Sequence, residues 1–231
     1  MPKVLDKGFI NVIEKLGTEL TVVNSARVSF GKRKTEFDKN DEKLIKYLIE
    51  NKHYSPFRHV MVQFHIKAPE FVMRQWYKHV VGIETTSSHP TKDHAWNEIS
   101  GRYVELSETE FYEPDVWRSQ SEDNKQASSG LIEYQDLAKT RFKKSMKLVF
   151  EHYNALRTLG VAKEQARIIL PLNIYTEIYW TASFQAIMNF IELRNDEHAQ
   201  WEIREYAIVM QDIMLQEFPI ITNLWLNNRN K

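Results

Sequence analysis

The chain has 231 residues and 27.5 kDa, with 31 Lys and Arg balanced by 31 Asp and Glu, 42% hydrophobic residues and no cysteine. Zero cysteine excludes disulfides, thiolate zinc sites, iron–sulfur clusters and any sulfur nucleophile. An even charge balance argues against a nucleic-acid polymer as partner, while a few arginines would still suffice for one small anion.

Length suits one domain over 1–231, burying roughly 70–75% of the unfolded surface. Neither Met1 to Lys7 nor any later run has the apolar length of a signal core or a membrane span, so a cytoplasmic protein without membrane contact is expected.

In chain order, Val4 to Asn24 mixes short apolar runs with Gly8 and Gly17, which predicts two short strands and a turn. Leu44, Ile45, Leu48 and Ile49 recur at helical spacing, so Asp41 to Glu50 reads as a helix. Val60, Val62, Phe64 and Ile66 alternate with polar neighbours, the pattern of a half-buried strand. Pro69 then opens a helix over Glu70 to Val80, on which Gln75, Lys78 and His79 would share a face.

Two polar stretches read as loops, an insert at about 82–95 and a variable segment at about 118–130. Leu131 to Leu159 predicts one long helix with Leu137, Leu148, Val149, Tyr153 and Leu156 on its apolar side and Gly160 as a left-handed cap. A short helix over Ala162 to Leu170, a β-branched and aromatic strand over Ile174 to Trp180, and helices over Ala182 to Leu193 and Glu197 to Phe218 complete the chain. The last helix is expected to be capped by Asn195 or Asp196. The fold class is α+β: a single helix-rich domain with a small, mainly antiparallel sheet, assembling as a homo-oligomer.

Polar groups concentrate in four places: Arg74 to His79, Trp96 to Tyr103, Glu164 to Arg167, and Met188 to Gln200. Ser100-Gly101-Arg102 can wrap backbone N–H groups and a guanidinium around an anion, though Ser-Gly is also an ordinary turn. Glu164 and Arg167 are spaced for an internal ion pair. Arg194 sits beside an apolar run, where a bare guanidinium is costly, so Glu192, Glu197 or a ligand should answer it. The eight histidines match no metal-ligand spacing, and no metal site is expected. There is no Gly-rich phosphate loop of either common kind.

Taken in order, these stretches resemble the flavin-dependent thymidylate synthases. The matching segments are Ala26-Arg27-Val28-Ser29-Phe30, His53-Tyr54-Ser55-Pro56-Phe57, Arg74-Gln75-Trp76, Asn97 through Tyr103, Glu164-Gln165-Ala166-Arg167, Leu170-Pro171-Leu172-Asn173, and Met188-Asn189-Phe190 through Arg194 to Glu202. Each string is common; the ordered set is specific and covers residues 26 to 202.

The resemblance implies reductive methylation of dUMP to dTMP. Methylenetetrahydrofolate would be the carbon donor, and FAD reduced by NADPH the hydride donor. It assigns dUMP to Gln75, Trp76, Lys78, Glu98, Ile99, Ser100, Gly101, Arg102 and Arg167, the last reaching over from a neighbouring subunit. FAD would fall to His53, Ser55, Lys78, His79, Asn97, Glu98 and Asn189. Arg194 would be catalytic, lying against the uracil and stabilising charge as N3 is ionised. Sites shared between chains imply a homotetramer.

The departures cluster on flavin contacts. The family's Arg-His-Arg is Lys78-His79-Val80 here, 18 positions separate His79 from Asn97, and Ser183 and Gln185 stand where Asn and Arg are usual. Lys78 offers no planar fork and Val80 no charge. Lys92, His89 or His94 of the insert would be the substitutes. The alternative is a nucleotide- and flavin-binding homologue that has lost synthase activity.

Overall fold

The computed structural model describes residues 2–81, 94–107, 109–125 and 127–229. Its elements are β1 (Lys3–Val4), β2 (Gly8–Leu16), α1 (Glu19–Arg27), α2 (Lys39–Glu50), β3 (Met61–Pro69), α3 (Glu70–Trp76) and β4 (His94–Glu98). They continue through β5 (Arg118–Gln120), β6 (Ser128–Leu131), α4 (Gln135–Thr158), α5 (Lys163–Ala166), β7 (Tyr175–Ser183), α6 (Phe184–Arg194), α7 (Trp201–Glu217) and α8 (Pro219–Arg229).

Five strands form one antiparallel sheet in the order β1-β2-β3-β7-β4. The predicted alternation of β3 is realised: Val60, Val62, Phe64 and Ile66 are all fully buried. Their neighbours on β7 repeat the pattern, with Phe64 opposite Trp180 and Ile66 opposite Ile178. Helices α6, α7 and α8 cover this face. At its centre Trp76 stacks on Phe190 (4.2 Å between centroids) and meets Trp180 and Tyr206 edge-on. Burial of several aromatics in one cluster is the main local driving force for this layer. On the other face of β3, His65 and Lys67 pair with Glu177 of β7.

Gly8 is required by a close approach. A Cβ there would come within 2.8 Å of Lys67 O and would strike the Tyr206 hydroxyl, which donates to that same carbonyl.

Several expectations are corrected. Residues 19–27 are helical, because Gly17 (φ 84°) breaks the strand and Thr21 Oγ1 accepts from Thr18 N; the β-branched Val22 and Val23 disguised that helix. Helix α3 stops at Trp76, not Val80. The 118–130 stretch is a β5–β6 hairpin whose polar strands carry no apolar alternation to announce them. Helix α7 begins at Trp201 after Gln200, not after Asn195 or Asp196; Asp196 instead accepts from His198 N. Helix α8 was not expected. On α4 only Phe150 and Tyr153 are buried, while Leu137 and Leu148 face outward. Gly160 does close that region with positive φ, 85°. Most of the 82–95 insert lies outside the described residues, and its last positions begin β4.

Candidate active site

Three separate segments enclose an open cleft of about 950 Å³: the start of α3, the turn after β4, and the stretch from α5 to the start of β7. Residues four apart on a helix share a face, so Glu70 and Arg74 both line it. After Glu98 the chain leaves the sheet and turns through Ile99, Ser100, Gly101 and Arg102, where Ser100 Oγ accepts from Arg102 N (3.3 Å). Gly101 is buried against Arg167: a Cβ there would lie 3.3 Å from Arg167 Cδ and 3.3 Å from Leu106 Cδ1. Arg167 thus reaches Ser100–Arg102 within one chain, contrary to the expectation that it arrives from a neighbour. The Glu164–Arg167 ion pair does not form among the described residues.

Inside the cleft two carboxyls meet. Burial, reinforced by the neighbouring Glu98 carboxylate, pushes the Glu70 pKa up to about 7. Thr176 Oγ1 donates to Glu98 Oε1 (2.8 Å) and Trp96 Nε1 to Oε2 (3.3 Å). Two carboxyls within hydrogen-bond reach cannot both ionise cheaply, so Glu70 keeps its proton until the pH nears neutrality. Sequence reasoning missed Glu70 and gave Arg74, though part of a noted segment, no site role; the signal was their i, i+4 spacing after Pro69.

A second group forms around Gln75, the residue after Arg74 on α3. Arg194, the last residue of α6, donates through Nε to His79 Nε2 (3.1 Å) and through Nη1 to Gln75 Oε1 (3.4 Å). Gln75 and His79 therefore converge on Arg194 rather than along a helix face; Lys78 points away, over the Tyr77 ring. The expected carboxylate partners are engaged elsewhere, Glu192 accepting from Trp225 and Glu197 pairing with His198. Burial lowers the Arg194 pKa from the usual guanidinium range. Burial, and then the Arg194 charge, hold the His79 pKa down to about 4, so its imidazole is neutral and accepts. The Trp76 indole is fully buried, so that residue can meet a ligand only through its backbone.

Gln75, His79 and Arg194 do not line the 950 Å³ cleft. His53, Ser55, Asn97 and Asn189 are exposed, and with Lys78 they have no side-chain hydrogen bond among the described residues. Unengaged amide, hydroxyl, imidazole and ammonium groups fit a ligand rich in acceptors, as FAD is through its phosphates and ring carbonyls. Ser183, one of the departures, caps α6 by accepting from Ala186 N, so its hydroxyl serves the helix. The proposed substitutes Lys92 and His89 lie outside the described residues.

The family model described as thymidylate synthase complementing protein matches residues 11–220. A flavin-dependent thymidylate synthase from Thermus thermophilus is 44% identical over 218 residues, covering 94% of this chain and 75% of the relative. One from Thermosipho melanesiensis is 42% identical over 221 residues, covering 94% and 90%. Among solved structures, the UMP/dUMP methylase PolB from Streptomyces cacaoi bound with 5-Br dUMP superposes with a TM-score of 0.84 at 25% identity, covering 99% of each chain. With the ordered motifs, the antiparallel sheet and these matches in agreement, the chain belongs to the thymidylate synthase complementing protein family, the flavin-dependent thymidylate synthases.

Proposed function

We propose that this chain methylates dUMP to dTMP, taking the carbon from methylenetetrahydrofolate, with FAD reduced by NADPH as the hydride source. The observation that carries the reading is that Arg102, Arg167 and Arg194 make no direct ion pair with a carboxylate among the described residues, Glu70 acting on Arg167 only across the cleft. Arginines at concave or half-buried positions whose guanidinium forks are not taken by a directly paired carboxylate are matched to an anion that arrives from outside.

In this reading Arg102 and Arg167 grip the nucleotide phosphate with planar forks, helped by Ser100 and by backbone approach at Gly101. Arg194 lies against the uracil ring. Its guanidinium is desolvated and held by neutral neighbours, so it stabilises negative charge as N3 loses its proton and C5 becomes nucleophilic. Gln75 holds that guanidinium in place. His53, Ser55, Lys78, His79, Asn97, Glu98 and Asn189 hold FAD, which when bound and reduced supplies the hydride that completes the methyl group.

In one chain Gln75, His79 and Arg194 do not line the cleft of Ser100–Arg102 and Arg167. A homotetramer with shared centres would bring Arg194 of one protomer to the Ser100–Arg102 turn of another. Leu148, Leu159 and Ile168, all exposed, supply apolar surface for such contacts. No helix among the described residues is long and apolar enough to cross a membrane.

The test is turnover. Purified protein with FAD, NADPH, methylenetetrahydrofolate and dUMP should yield dTMP. A flavin-loaded protein that makes none overturns the reading and leaves a binding homologue without synthase activity.

A further inference from the structure

Arg194 is held by Gln75, and Gln75 is itself held from behind. Gln75 Nε2 donates to Gln200 Oε1 (2.7 Å), and Gln200 Nε2 donates to Glu202 Oε2 (2.9 Å). Glu202 stands in the first turn of α7 and is only 4% exposed. Its other oxygen accepts from Arg118 Nη2 (2.6 Å) and from the Tyr112 hydroxyl (3.3 Å). Burial and the Glu202 charge raise the Tyr112 pKa, so the phenol keeps its proton and acts as a donor.

A side-chain amide has one donor end and one acceptor end, and rotation about its last bond exchanges them. A carboxylate only accepts, and a guanidinium only donates. Two amides strung between a carboxylate and a guanidinium can satisfy every link in one direction only. Reversed, the Gln200 carbonyl would face the Glu202 carboxylate, and the Gln75 NH2 would face the N–H groups of Arg194.

We infer that Glu202 is a positioning residue for Arg194: its buried carboxylate, anchored by Arg118, orients Gln200 and through it Gln75, keeping the Gln75 carbonyl aimed at the guanidinium. The hairpin β5–β6 thereby gains a purpose. It delivers Arg118, which is braced by Ser128 Oγ (3.0 Å to Nε) and lies over the Trp201 ring. The effect on turnover rests on the proposed role of Arg194, whereas the effect on the guanidinium's position does not.

Two variants test this. Gln200→Met cuts the string at an exposed position and leaves the Glu202–Arg118–Tyr112 cluster intact, so it should melt at the wild-type temperature. Glu202→Gln keeps the shape and removes the one-way constraint. In both, kcat at saturating substrates should fall roughly 10–100-fold, the range for a displaced catalytic group. In the full-length chain, the His79 titration followed by NMR should move up from about 4, because the guanidinium that depresses it has shifted. The double variant should be no worse than the more impaired single, as for two links of one chain. Wild-type kcat and an unchanged His79 titration in Gln200→Met would overturn the inference, as would losses that multiply in the double variant. If the wild-type protein makes no dTMP, the functional reading fails, and the His79 titration still decides the positional one.

Discussion

Arg194 Nε lies 3.1 Å from His79 Nε2, so the imidazole must accept from the guanidinium and cannot itself be cationic while the bond stands. Burial and that charge hold His79 to about 4 in the folded protein, below its ordinary 6.5. A histidine with a depressed folded pKa contributes stability that is present above about 6.5 and is lost as pH falls through about 4. Unfolding free energy should therefore drop across that window. In Arg194→Ala the His79 titration should rise and dTMP formation should fall at least about 100-fold. An NMR titration paired with turnover checks both.

Glu70 gives the opposite sign. Its folded pKa of about 7 lies above the ordinary 4.5, so its contribution is full below about 4.5 and is lost as pH rises through about 7. A protonated Glu70 also leaves the cleft arginines less neutralised. Wild-type dUMP binding should weaken relative to Glu70→Gln as pH rises through 7. The phosphate gains its own charge near pH 6 and favours binding in the other direction, so the comparison between the two proteins isolates Glu70. Calorimetric affinities at several pH values measure it; parallel profiles would remove Glu70 from nucleotide binding.

Gly101→Ala should act on Arg167 without touching a charge. The added methyl would sit 3.3 Å from Arg167 Cδ and Leu106 Cδ1, tight enough to make the arginine yield. Weaker dUMP binding by about 1–2 kcal/mol is expected, the usual scale for overpacking by one methyl. Arg167→Ala should weaken binding further, and equilibrium titration ranks the two.

Asp41 carries a structural role that its motif neighbour Arg27 shares. The carboxylate is fully buried and accepts from Arg27 Nη2 (2.8 Å) and Lys34 Nζ (2.5 Å). Burial alone would raise its pKa, but the Lys34, Asp38 and Arg27 hydrogen bonds outweigh it and hold the carboxyl below its ordinary value. Asp41→Ala removes the partner of Arg27 and one of the two partners of Lys34, which keeps Asp38, and should cost about 1–3 kcal/mol. Chemical denaturation measures this, and nucleotide affinity in the surviving folded fraction should be near wild type.

The sequence made the sheet's core and the longer helices legible because apolar periodicity reports burial directly: Val60 through Ile66 and Leu44 through Ile49 alternate or recur as their burial requires. Segments held by polar or conformational devices were not legible. The β5–β6 strands have no apolar face, α1 hides β-branched residues in a helix, and α7 starts late because Asp196 closes a turn of its own. At the site, Arg194 stood out as an expensive charge in apolar company, and Arg102 and Arg167 through the ordered motifs that carry them. Their partners did not. Glu70, the Glu202 hub and the packing of Arg167 on Gly101 all depend on residues far apart in sequence, which only the fold brings together.

That Arg194 does not line the cleft of the Ser100–Arg102 turn has a genetic consequence. If each centre draws its halves from two protomers, a chain lacking Arg102 and a chain lacking Arg194 are each inactive alone but complementary together. Dissociated and reassembled as a mixture, they should regain some intact centres, in proportion to how often opposite defects fall in the same one.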